Sequence, residues 1–157
     1  MAQASEYQEA LAKVTAFTMS ARQLVLFAGN DIVLTYIADV QTLAGTAWDV
    51  VNYNAGRGIV TLIPGSSSTM NFGTDGQVTG RAGCNSYFAS YRWKGNGLTI
   101  DQPGATSMLC DEPKGVMDQE ARFLAALHSA ATFRINGNML EIQNAGGQIA
   151  IVANRAP

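Results

Sequence analysis

The chain of 157 residues has one histidine, two cysteines, little charge of either sign and no long apolar run, and each shortage removes a class of function. A structural zinc site takes four ligands, usually from paired Cys or His spacings, and two lone cysteines with His128 do not provide them. No metal is therefore expected. No Gly-x-Ser-x-Gly turn accompanies the single histidine, so a serine triad has no support, and no glycine-rich stretch ends in the Lys-Ser/Thr of a phosphate-binding loop. Neither a cofactor nor a catalytic residue is expected. Lys and Arg number 10 against 12 Asp and Glu, a formal charge of −2, which leaves no basic stripe for nucleic acid or anionic lipid. The longest apolar stretches, Leu24–Gly29 and Ile32–Val40, fall far short of the roughly 18–20 residues that cross a bilayer. Met1–Ala16 is amphipathic and carries no signal-peptide core.

What is present is a chain that is 47% hydrophobic, enough at this length to bury a core without staples. Ser5-Glu6-Tyr7-Gln8 has the form of a capping box, and Tyr7, Leu11 and Val14 follow at the spacing of one helical stripe, predicting a helix of about three turns. Three short β-rich runs come next, 17–20, 24–27 and 32–36, divided by Ala21-Arg22 and by Gly29-Asn30-Asp31. From Thr46 the pattern is of short strands separated by turn residues: 47–53, 59–63, 69–72, 78–81, 87–94 and 98–100. In the longest of these Tyr87, Ala89, Tyr91 and Trp93 alternate with Phe88, Ser90, Arg92 and Lys94, which predicts one buried face. After an irregular stretch, 101–115, a second helix is predicted over 116–130 with Met117, Ala121, Leu124, Leu127 and Ala131 inward, then strands at 132–135, 139–142 and 149–152. The class is α+β: a small, mostly antiparallel, cracked β-barrel of about eight strands with a packed helix, preceded by a further helix and three strands.

The end of the chain repeats its beginning. At one offset of 116, Leu11 pairs with Leu127, Tyr7 with Phe123, Ala10 with Ala126, Phe17 with Phe133, Met19 with Ile135, Leu24 with Leu140 and Leu26 with Ile142, without a gap. A fixed register in which apolar positions and element order coincide is expected of duplicated segments. Residues 1–38 thus read as the second half of a truncated repeat, 39–45 as a junction and 43–157 as the complete domain. A half-domain exposes strand edges and an apolar face, so residues 1–38 are expected to pack on the complete copy or on another chain, giving a homo-oligomer.

Three stretches carry a resemblance: Leu43-Ala44-Gly45-Thr46-Ala47-Trp48, Gly80-Arg81-Ala82-Gly83-Cys84-Asn85-Ser86-Tyr87, and Thr106-Ser107-Met108-Leu109-Cys110 with Glu120-Ala121-Arg122-Phe123-Leu124-Ala125-Ala126-Leu127. Together they resemble the META domain, also called the HslJ-like domain, over roughly residues 43–154. The resemblance implies a cracked barrel with a helix packed on it and no enzymatic activity. It also implies a periplasmic, envelope or secreted location, often as a lipoprotein, and in some members a link to heat induction and novobiocin tolerance. Some members are similar to protein-binding or protease-inhibitory modules, and the fold has been likened to lipid-holding barrels. An even cysteine count in an exported family suggests one disulfide between Cys84 and Cys110, the alternative being two buried thiols.

The remaining candidates have plain structural readings. A cysteine nucleophile would need His128 as base and an orienting group, whereas a lone helical histidine more often faces solvent. Asp111-Glu112 adjoin Pro113 in a loop, and Asp118 and Glu120 suit a helix start electrostatically. Asn85 is explained by turn chemistry, and Arg92-Trp93-Lys94 by a solvated strand end. Asn85, Tyr87, Tyr91 and Trp93 are nonetheless the candidate binding residues, because rings inside a barrel can line a cavity. The expected partner is a protein or a small apolar ligand, and 101–115 is the candidate loop for an inhibitor-like contact.

Overall fold

A computed structural model of the protein describes residues 2–20, 23–37 and 42–157. Two compact units are present, Met1–Val40 and Gln41–Pro157. The break predicted at Ala21-Arg22 and the junction residues 39–41 lie outside the described residues.

In the first unit, helix α1 (Ala2–Ala12) precedes strands β1 (Ala16–Met19), β2 (Gln23–Ala28) and β3 (Asp31–Ile37), an antiparallel sheet in that order. The helix begins three residues before the predicted box. Ser5 therefore lies within its first turn and not at its cap. The strands match the β-rich runs to within a residue or two, because Gly29 at φ 62 closes the β2–β3 turn where the chain has no β-branched residue to resist it.

The second unit is a closed eight-stranded antiparallel barrel. Its strands are β4 (Thr46–Asn54), β6 (Thr69–Phe72), β7 (Gln77–Arg81), β8 (Ser86–Lys94), β9 (Gly97–Ile100), β11 (Ala130–Asn136), β12 (Met139–Asn144) and β13 (Ile149–Arg155). Two short strands, β5 (Ile59–Thr61) and β10 (Gly104–Ala105), pair outside the ring with β4 and β8. The order around the barrel is β8-β7-β6-β4-β13-β12-β11-β9, and β9 returns to β8. The β9–β11 seam is the thinnest, one residue pair, Thr132 with Gly97, extended by Phe133 N–H donating to Asn96 O at 2.8 Å.

Alternation along the strands fills the interior. Trp48, Met70, Phe72, Val78, Ile100, Leu140, Ile142 and Ile151 are fully buried there. On β8, Tyr87, Ala89 and Tyr91 face inward and Phe88 and Arg92 outward, as the alternation predicts. Helix α2 (Val116–His128) covers one end and buries Val116, Gln119, Glu120, Phe123, Ala126 and Leu127. This corrects the expected stripe: Ala121 is exposed and Met117 and Leu124 are only half-buried. The stripe is rotated because Gln119 and Glu120, polar residues that an apolar count skips, face inward to bond to backbone. Gln119 Oε1 accepts from Ile63 N–H at 2.6 Å, and its Nε2 donates to Ser66 Oγ at 2.9 Å.

Candidate functional site

The Gly80–Tyr87 stretch runs off the end of β7 and turns into β8, and its glycines have steric reasons. A Cβ on Gly80 would stand 2.0 Å from Thr69 O, and Gly83 has φ 136 with Val116 closing over it. Strand and helix are thus brought close enough for Glu120 to reach the turn. One Glu120 carboxylate oxygen accepts from Cys84 N–H at 3.1 Å and from Asn85 N–H at 2.7 Å, and the other from Asn85 Nδ2 at 2.8 Å. Glu120 is buried, so these three donors replace its water.

Asn85 passes this order on to the loop that follows β10. Its Oδ1 accepts from Thr106 Oγ1 and from Met108 N–H, both at 2.7 Å, and its Nδ2 donates to Met108 O at 3.0 Å. Thr106 N–H donates to Ser86 O at 3.0 Å. Two residues on, Cys110 is bonded to Cys84, with Cα atoms 5.9 Å apart. The backbone of 106–110 is therefore tied to β8 and to the turn before it at both ends. Between the ties the side chains point away: Met108 is 55% exposed and Leu109 89% exposed. A rigid backbone displaying two large apolar side chains is the arrangement of a contact site, since little entropy remains to be lost on binding.

The structure corrects the expected roles of Asn85 and Glu120. Asn85 does not serve its own turn or use left-handed geometry, for no non-glycine residue among those described has positive φ. It bridges residues 21–23 positions ahead and Glu120. Glu120 does not complement the helix start; helix α2 is capped at Gly115, with φ 89 and no side-chain cap, and Asp118 pairs with Arg122 at 2.9 Å in solvent. Composition and periodicity missed this network. The available signal was the co-occurrence of Cys-Asn, Thr-x-Met-x-Cys and a helical Glu in the three resembling stretches.

The other candidates are separate from it. Tyr87 stacks edge-on to Phe123 with centroids 5.8 Å apart, and its hydroxyl donates to Thr69 O at 2.9 Å. Tyr91 packs on Phe72 at 5.0 Å and donates to Gly73 O at 2.6 Å, and Trp93 meets Phe133 at 6.1 Å. Burial pushes the Tyr87, Tyr91 and Tyr53 hydroxyls above the ordinary tyrosine range, with Asp75 adding to it at Tyr91, and at Tyr53 burial outweighs the opposing Arg122 while Asp118 adds to it. These rings touch other rings and backbone. A groove of about 540 Å³ lies elsewhere, outside the barrel, lined among others by Asn54, Arg57, Arg122, Ser129 and Asn144. His128 is exposed and its Nδ1 lies 3.0 Å from Ile100 O. Among the described residues no group of three His, Cys, Asp or Glu side chains could hold a metal, and no helix is long and apolar enough to cross a membrane.

The META domain family model matches residues 41–156. An NMR structure of a protein from Burkholderia xenovorans is similar, with a TM-score of 0.59 at 22% identity, covering 73% of this chain and 83% of that one. A crystal structure of a duf4847 family protein from Bacteroides vulgatus has a TM-score of 0.50 at 16% identity, covering 71% and 93%. At such identities these likenesses bear on the fold alone. No curated protein matches at a significant level.

Proposed function

The chain belongs to the META domain family, and from that premise we propose that its barrel is a non-catalytic envelope module that binds a protein partner through the tethered 106–110 loop. The observation that carries this reading is Leu109, 89% exposed on a backbone held by the Cys84–Cys110 bond and by Asn85. Exposed leucine is ordinary; exposed leucine on a fixed loop beside exposed Met108 is a ready anchor for an apolar pocket. A disulfide between a chain's two cysteines suits an oxidising compartment, in keeping with an extracellular or envelope location. It also leaves no thiol for a nucleophile, which supports the non-catalytic reading. The role in stress protection that the resemblance implies would run through the same contact, as would an inhibitor-like one. A carrier that holds lipid inside the barrel is the weaker alternative, because Tyr87, Tyr91 and Trp93 spend their faces on Phe123, Phe72 and Phe133.

The test is affinity capture from an envelope extract of the source organism, with the intact chain beside a Met108→Asp/Leu109→Asp variant. A protein retained by the first and lost by a variant of unchanged thermal midpoint is the expected result. Identical retained sets would end the loop assignment. Inhibition of a panel of proteases by the intact chain alone would narrow the partner to that class.

A further inference from the structure

The tethered loop continues the line of β10. Gly104 and Ala105 pair with Phe88 and Tyr87 of β8, and the chain keeps the same side toward β8 afterwards, with Thr106 N–H donating to Ser86 O and Met108 N–H to Asn85 Oδ1. In extended backbone the N–H and C=O groups of successive residues point to opposite sides, so those of Ala105, Ser107 and Leu109 point away from β8. Among the described residues these main-chain groups have no hydrogen-bond partner, and β10 has β8 as its one neighbour. All three residues are exposed. The side toward β8 is bonded and the other side is open.

Nothing in the sequence of this edge keeps another strand away. From Gly104 to Leu109 it reads Gly-Ala-Thr-Ser-Met-Leu, without the charge or proline that guards exposed edges. The outward face beside it is apolar. Phe88, opposite Gly104, is 61% exposed, and its ring reaches over the edge residue: a Cβ on Gly104 would stand 2.8 Å from Phe88 Cζ. Gly104 therefore leaves room for the ring, and the ring lies within reach of a side chain on any strand paired along Ala105. Thr106 and Met108 follow Gly104 at alternate positions, so Phe88 and the exposed Met108 flank one edge with only Thr106 between them.

A row of main-chain donors and acceptors recurring at every second residue is matched by extended main chain. Three outward-facing residues are too short an edge to join two folded chains, which takes on the order of 1,200 Å2 of buried surface, so the occupant is a flexible segment. Resting on the assignment of the 106–110 loop as the contact site, we infer that the protein partner is held there by strand addition. An uncharged, extended segment of the partner pairs with Ala105, Ser107 and Leu109 and lays an apolar side chain against Phe88. The main chain attaches the segment, and Phe88 and Met108 select its side chain.

The probe is a pool of random heptapeptides displayed on phage and selected on the full chain with its disulfide intact, the enriched peptide then being synthesised. In the free protein, amide exchange at Ala105, Ser107 and Leu109 is expected to outpace that at Thr106 and Met108, and the peptide is expected to slow the first three. Ser107→Pro removes one outward N–H and no bond to β8, and is expected to weaken peptide binding about tenfold, as is N-methylation of alternate peptide residues. Exchange at Thr106 and Met108 reports whether the loop of the variant is intact, and the N-methylated peptide tests the pairing without altering the protein. Strand addition is overturned by a pool with no enriched peptide, by a free protein whose Ala105 and Ser107 amides are already protected, or by binding indifferent to N-methylation. Binding that ignores both the proline and N-methylation but is lost in Met108→Asp/Leu109→Asp overturns the mode and keeps the loop as the contact site. Binding indifferent to all of these changes removes the loop as well.

Discussion

Glu120 is the residue on which the candidate site turns, because it is buried and accepts three N–H donors. Glu120→Gln keeps the shape but sets an amide NH2 against N–H groups. The expected cost is about 1–3 kcal/mol, the range for a buried polar group left unsatisfied, seen as a lower urea midpoint at unchanged slope. The change should also free Asn85, so that amide exchange at Met108 accelerates more than exchange in β12. Equal acceleration at both would mean that Glu120 supports the barrel at large and not the loop. The sequence marked Asn85 as a candidate but assigned it to its own turn, since an asparagine after a cysteine carries no trace of a partner 21–23 positions on. Only folding reveals that β8 and the 106–110 loop are neighbours.

At the scale of elements, the Cys84–Cys110 bond closes a loop with a sequence separation of 26 that contains β8, β9 and β10. Chain-entropy reasoning assigns such a closure roughly 3–4 kcal/mol. Cys84→Ser/Cys110→Ser is expected to lower stability by about that amount and to open Leu109 to chymotrypsin, while β8, held by five register pairs to β7, stays protected. Cleavage at an unchanged rate would show that the Asn85 bonds suffice to hold the loop. Strand positions were legible from alternation because a barrel strand has one wet and one dry face. The phase of α2 was not legible, since Gln119 and Glu120 are buried for their hydrogen bonds and periodicity counts apolar residues only.

For the whole molecule, burial opposes the ionisation of three tyrosine hydroxyls, those of Tyr53, Tyr87 and Tyr91. Their folded pKa values lie above that of the unfolded chain, about 10. The unfolded state therefore loses these protons first, and the stability they confer is complete below about pH 10 and falls as pH rises beyond it. Titration followed at 295 nm should leave Tyr87 silent until the barrel unfolds cooperatively, with Tyr53 and Tyr91 ionising only above about pH 10. Ionisation of Tyr87 in a folded protein would show a wetter interior than its packing on Phe123 describes.

The sequence by itself determined the α+β class and nearly every strand, because alternation, turn residues and spacing are local or periodic properties. Tertiary structure alone decided that the barrel closes β9 onto β11, that Glu120 and Asn85 are partners, and that Leu109 is held outward in solvent. Those outcomes depend on which residues distant in the chain come within hydrogen-bond reach, and no local pattern encodes a distance through space.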